Sequence, residues 1–307
     1  MNKGRLLREN QDLRIAGVNF VISKDPSFIL RCDNLLYLPF FRNASGKENN
    51  EKIEISLDFD GFPSLQRLEK IFATGESWSM QRDKNNFWIT MAPPQHAEPF
   101  WIARFNRRAS RVTLYCRPLS PAPGKGKNDL VLPIAYPFDQ LLLMYFLAGR
   151  KGMLTHAAGL VRGGKSFIFP GASGAGKSTF SELLVEAKVG KLLSDERMIV
   201  REIDGAMQAF GTPWAGTAGI ARAGNAPLAG IYFLKHGQSN HIEKLAAGDA
   251  ADRLLPLISI PWYDPGTMAP IIAFAKRLAA RVPAYEMNFK PDRSAVDFFR
   301  RFQKTLS

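Results

Sequence analysis

Cysteine is scarce in this 307-residue chain: only Cys32 and Cys116 occur, far apart in sequence. Two cysteines without metal-ligand spacing exclude a disulfide framework and a thiolate metal site, and both read as small buried apolar residues. Long hydrophobic runs are lacking too. No apolar stretch approaches the roughly 18 residues that cross a bilayer. The opening MNKGRLLRENQDLRIAG carries basic residues without the apolar stretch of a signal peptide. A cytoplasmic protein with no membrane partner is therefore expected. Internal repeats and low-complexity tracts are also missing, which excludes solenoid and fibrous architectures.

What is present is an ordinary globular composition, 46% hydrophobic and 22% charged, enough to build a sizeable core. The length favours two domains. A net charge of +13 with a pI near 9.8 calls for an acidic partner, such as a nucleotide, a phosphorylated substrate or an acidic protein. The basic residues are scattered, however. Their densest cluster, Arg104, Arg107, Arg108 and Arg111, falls in a turn between two strands and reads as a solvated face. Aromatic residues do not interleave with a continuous basic stripe, so nucleic acid is not the expected partner.

Residues 1–120 read as a β-rich domain of unassigned role. Short alternating or aromatic segments recur at Val18–Ile22, Ile53–Phe59, Phe87–Met91, Trp101–Phe105 and Val112–Cys116. A Pro/Gly/Lys-rich stretch follows, and residues 121–135 are the expected linker. Residues 136–307 then alternate helical and strand patterns, which predicts an α/β domain. Its first helix starts after Pro137. Met153–Val161 and Ser166–Phe169 form a hairpin about Gly163-Gly164, and a second hairpin turns at Asp204-Gly205. Leu228–Leu234 and Pro283–Phe289 read as further strands, and Asp249–Leu257, Thr267–Ala280 and Ser294–Lys304 as helices.

The second strand of the first hairpin runs straight into GASGAGKS, which matches G-x-x-x-x-G-K-[ST], and Thr179 follows. Gly171, Gly174 and Gly176 let the backbone turn its N–H groups around phosphate oxygens, with Ala172, Ser173 and Ala175 between them. A helix from Lys177 adds the positive end of its dipole. Lys177 reaches the β and γ phosphates of a nucleotide such as ATP, and the Ser178 hydroxyl ligates Mg²⁺. After that helix, the short strand Lys191–Ser194 ends on Asp195 and Glu196, where a metal ligand or proton acceptor belongs. Adjacent residues of a strand face opposite ways, so both acids reach one site only if the chain is already turning. His156 lies inside an apolar strand, where a lone histidine is usually a satisfied core residue.

The order of these pieces resembles the HPr kinase/phosphorylase family, whose fold is related to phosphoenolpyruvate carboxykinase. The resemblance is carried by HAAG around His156, the glycine hairpin, PGASGAGKST and LLSDE, with GTPWAG and APLAGIYFL further on, and it covers roughly residues 136–290. The acid pair is Asp-Glu where HPr kinases carry Asp-Asp. The resemblance implies a P-loop kinase domain that binds ATP and Mg²⁺ and phosphorylates a hydroxyl, most naturally a serine of a peptide or small protein. His156 would then act on the acceptor side, and Lys177 and Ser178 would hold phosphate and metal. Asp195 and Glu196 would divide the roles of metal ligand and base. Apart from the resemblance, Arg222 of GIARAG reads either as a group that stabilises charge on the transferring phosphoryl group or as a surface arginine. Two other readings stand beside this: a nucleotide-dependent regulatory module without phosphotransfer, and a small-molecule kinase acting on free serine or a sugar. The acceptor and any homo-oligomer are not written in the residues.

Overall fold

The computed structural model describes residues 5–7, 11–23, 28–43, 51–75, 77–92, 98–116, 128–132 and 134–305. The chain divides into two compact units, Met1–Phe146 and Leu147–Ser307. Both are strand-rich, each built on a large mixed sheet, and the whole is a mixed α/β protein.

The first unit contains strands β1 (Arg5–Leu6), β2 (Gln11–Ile15), β3 (Val18–Ser23), β4 (Phe28–Cys32), β5 (Phe41–Asn43), β6 (Lys52–Asp58), β7 (Glu69–Ala73), β8 (Trp78–Arg82), β9 (Asn86–Met91), β10 (Trp101–Asn106), β11 (Arg111–Cys116) and β12 (Asn128–Val131). Nine of them form one sheet in the order β5-β2-β3-β6-β11-β10-β9-β8-β7, and β1-β4-β12 make a small second one. Period-two burial explains the strands: Ile53 and Ile55 of β6, like Val112 and Leu114 of β11, point inward while their neighbours face out. All five strands expected here are present. Part of the expected linker, residues 128–131, is instead strand β12, paired in parallel with β4. Residues 117–127, the remainder of the Pro/Gly/Lys stretch, lie outside the described residues. Helix α1 (Phe138–Ala148) runs up to and past the division between the units, which falls after Phe146 rather than near residue 135. Both cysteines are buried, and burial pushes the Cys116 thiol up to about 11.

The second unit follows the expected alternation closely. Strands β13 (Gly152–Arg162) and β14 (Lys165–Pro170) form the glycine hairpin, α2 (Lys177–Glu186) follows the glycine loop, and β15 (Lys191–Ser194) ends at the acids. Then come β16 (Arg197–Ile203), β17 (Ala206–Phe210), β18 (Asn225–His236), β19 (His241–Lys244), α3 (Ala247–Leu254), α4 (Pro265–Arg281), β20 (Ala284–Phe289) and α5 (Arg293–Thr305). β13 pairs antiparallel with β16 through residues 152–156, with β14 through 157–162 and with β15 through 159–161. Strands β14 and β15 therefore run the same way on either side of β13. β14 also pairs in parallel with β18, and β18 with β20, so the C-terminal ends of β14, β15, β18 and β20 share one edge of the sheet. Ligands of open α/β sheets collect at such an edge.

Helix α2 is held on this sheet by residues spaced three and four apart: Lys177, Phe180, Ser181 and Leu184 are all buried. Phe180 meets Phe169, Phe289 and Phe299 edge to face at 5.3, 5.4 and 5.8 Å between ring centroids. This aromatic cluster fixes the helix that closes the glycine loop. Truncating Phe180 to alanine is expected to cost about 3–5 kcal/mol of unfolding free energy, measured by urea denaturation of the full chain.

Candidate functional site

The loop after β14 takes the shape its glycines permit. Gly174 and Gly176 have φ of 82° and 93°, in the left-handed region. Gly171 has no room for a side chain, because an added Cβ would lie 2.7 Å from that of Ala175. The loop is anchored at its start, where the Gly171 amide donates to the His156 carbonyl at 3.2 Å. Among the described residues, the amides of Ala172, Ser173, Gly174 and Gly176 donate to no protein acceptor, and Ala172, Ser173 and Gly174 are exposed. The first turn of α2 adds further unpaired N–H groups.

Lys177 is 7% exposed, and its ammonium donates to the carbonyls of Gly171 at 2.7 Å and Ala172 at 3.0 Å. Among the described residues no carboxylate pairs with it directly. Burial holds its pKa below the ordinary lysine range; the nearby Glu196 and Asp195 charges pull it back up, and Arg197 pushes it further down. A buried cation solvated by neutral carbonyls is a costly arrangement unless an anion completes it.

The acids sit in a bend rather than on a strand, which settles how two adjacent side chains reach one place. Ser194 makes the bend: its hydroxyl accepts from the amides of Glu196 and Arg197, both at 3.2 Å. Both acids face Gly216, where an added Cβ would lie 3.0 Å from Asp195 Oδ2 and 3.1 Å from Glu196 Oε2. Their surroundings differ, however. Asp195 is 2% exposed and accepts the amides of Gly216, Ala218 and Ile220 at 3.0, 2.8 and 3.2 Å. Its Oδ1 takes two of these bonds, so the carboxylate is largely occupied in holding residues 216–220. Glu196 is half-exposed, and its Oε1 lies 3.1 Å from His156 Nε2.

His156 is thus more than a core residue. Burial first, and the Lys177 charge second, hold its imidazole below the ordinary range, while Glu196 opposes both. A neutral ring donates its Nε2 proton to Glu196. The loop held by Asp195 brings the Thr217 hydroxyl within 3.4 Å of the Ser178 hydroxyl. The same segment braces the acid bend elsewhere, since Thr212 donates to the Arg197 carbonyl at 2.6 Å and Ser194 to that of Trp214 at 3.5 Å. These bonds give the GTPWAG stretch a physical role.

Arg222 is not brought to this group. Its side chain is exposed and donates to the Leu192 carbonyl at 3.5 Å, on the body of β15. Arg197 is the arginine that lies near His156. It is the cross-strand partner of His156, so the two side chains share a face of the sheet. Its guanidinium is fixed by Ser259 Oγ at 3.2 Å, and its charge is felt by both His156 and Lys177. Sequence reading passed over Arg197 because only the β13–β16 register places it beside His156. The residue directly after an acid pair was the one available signal.

Among the described residues no three His, Cys, Asp or Glu side chains converge to hold a metal by themselves. The Ser178 and Thr217 hydroxyls, 3.4 Å apart, are oxygens that could take part in holding Mg²⁺. That donor set suits a hard cation taking most of its ligands from phosphate and water. No helix among the described residues is long and apolar enough to cross a membrane. No family model matches the chain, and no curated protein does.

Two outcomes test this arrangement. Asp195→Ala is expected to lower unfolding free energy by about 2–4 kcal/mol through three lost charge-assisted bonds, and to accelerate amide exchange at Gly216, Ala218 and Ile220. For His156 the fold favours the neutral ring. Its contribution to stability is complete above the ordinary imidazole pKa and is lost as pH falls from there towards the depressed value. His156→Gln should flatten that acid dependence of the denaturation midpoint.

Proposed function

We propose that this chain is a Mg²⁺-dependent phosphotransferase of the HPr-kinase-like P-loop type, which moves the γ-phosphoryl group of a nucleoside triphosphate, ATP in the first instance, to a hydroxyl. The observation that carries the reading is the buried Lys177 ammonium, held among the described residues by loop carbonyls alone, beneath a glycine turn in which the amides of Ala172, Ser173, Gly174 and Gly176 donate to no described acceptor. Polyphosphate supplies both missing partners: charge for the ammonium and oxygens for the amides. The resemblance of HAAG, PGASGAGKST and LLSDE to that family adds the order of the parts.

In this mechanism Ser178 and Thr217 would hold Mg²⁺ against the phosphates, and the metal would neutralise charge on the β and γ oxygens. Lys177 turns from the Gly171 and Ala172 carbonyls to the phosphate. Glu196 accepts the proton of the attacking hydroxyl, oriented by His156 Nε2–H, while Arg197 carries charge developing on the transferred group. Asp195 acts indirectly, by fixing the loop that carries Thr217. The attacking oxygen bonds to phosphorus as the bond to the leaving diphosphate breaks. The acceptor we favour is a serine of a peptide or small protein, which follows from the resemblance. The +13 net charge of the chain suits an acidic partner.

The test is transfer of label from γ-labelled ATP in the presence of Mg²⁺ and cell extract. Lys177→Ala should abolish both binding and transfer. Glu196→Gln should lower kcat by about 10²–10⁴ with nucleotide binding retained. Arg197→Ala should lower kcat by at least ten-fold while Arg222→Ala stays within about two-fold, on the scale expected for a charge-stabilising arginine. Label that moves equally in the Glu196→Gln and wild-type proteins would remove the base assignment. A chain that binds ATP, moves no label and still recruits a partner would instead be the regulatory module.

A further inference from the structure

The acids and His156 lie on the β13/β15 side of the glycine loop, whereas the opposite side is formed by the ends of β18 and β20. There His236 and Phe289 are directly opposed across the two strands. The amide of Gly237 donates to the Phe289 carbonyl at 2.9 Å and fixes both strand ends. The rings lie 4.8 Å apart between centroids at 37°. Phe289 is fully buried and His236 is exposed. Both reach the loop itself: a Cβ on Gly176 would lie 2.8 Å from the Phe289 ring and 2.9 Å from His236 Nε2.

We infer that the His236 imidazole, backed by Phe289, is the platform on which the base of the nucleotide stacks. The inference rests on the reading of residues 171–178 as the phosphate site, and it adds which side of that site the nucleoside occupies. A polyphosphate whose outermost group meets Glu196 and His156 crosses the loop with its other end towards β18. An exposed aromatic ring held rigidly from behind is what a base needs there, because stacking places few demands on the base edge. The imidazole is exposed yet packed on Phe289 and against the residue before Lys177, so one face of it is held while the rest stays open to a ligand.

The experiment compares binding of ATP and of inorganic tripolyphosphate, each with Mg²⁺, by calorimetry on the full chain. Wild type, His236→Ala and His236→Phe are measured, with thermal unfolding to verify folding. The expected result is that His236→Ala raises the Kd for ATP about 5–100-fold and leaves that for tripolyphosphate within about two-fold, while His236→Phe restores ATP binding. Unchanged ATP affinity in His236→Ala overturns the platform. So does an equal loss for both ligands, which would make His236 a support of the loop rather than a contact of the base. A folded wild-type chain that binds neither ligand removes the phosphate reading itself, and the platform with it.

Discussion

Everything in the second unit is arranged around one uncomfortable charge, the Lys177 ammonium, which is buried at the foot of a glycine loop and solvated by two carbonyl oxygens. A free lysine side chain would rather be in water, and burying it against neutral groups is tolerated only where the surrounding structure over-determines its position. That over-determination is visible. Phe180, one turn on from Lys177, is locked into the aromatic cluster, and Gly176 is pressed between α2 and the Phe289 and His236 rings. These contacts fix the backbone from which the lysine side chain extends. An anion placed at the loop would offset that cost, which is why the reading proposed above begins from this lysine.

The neighbouring acids show how two like residues acquire different tasks from their surroundings alone. Asp195 is drawn into the interior and satisfied by three backbone amides, so its charge organises residues 216–220. Glu196 leans the other way, remains half-exposed and takes its hydrogen bond from a titratable ring. Three amide bonds leave the Asp195 oxygens little room for a further partner, while Glu196, bonded to a single imidazole, keeps lone pairs open. The roles proposed for the two acids therefore rest on hydrogen-bond accounting rather than on position in the chain.

Much of this unit was legible in the sequence because its signals are local. The glycine spacing of GASGAGKS, the period of Phe180 and Leu184, and the Gly163-Gly164 and Asp204-Gly205 turns each act within a few residues, and every element read from them is present. What depended on pairing between distant segments was not legible. Nothing near Arg197 announces that it stands across from His156, and nothing near Thr217 announces that its hydroxyl meets Ser178. Arg222 drew attention as a basic residue in a glycine-bearing segment, yet its hydrogen bond runs to the body of β15. In the first unit the reading was thinner for a related reason: strands such as β7 and β8 are half-exposed and lack clean alternation, and β12 hid in a stretch rich in proline, glycine and lysine. The cluster at Arg104 and Arg107 also proved partly a packing feature, since both guanidinium groups lie over aromatic rings, at 5.6 Å from Trp88 and 5.5 Å from Phe87.

Strand β13 explains why these separate parts stay in step. Its first half pairs with β16 and its second half with both β14 and β15, so a single strand sets the heights of the glycine loop, the acid bend and His156 against one another. Because side chains alternate along a strand, a slip of β13 by one residue would turn His156 away from both Glu196 and Arg197. The turn at its end resists that slip: Gly163 and Gly164 both have positive φ, at 57° and 72°, the conformation of a tight two-residue hairpin that allows only one register. The glycine hairpin and the glycine loop are thus parts of one device. The first sets the register that brings the acids to the second, and lengthening the turn by one residue would separate them while leaving each motif intact.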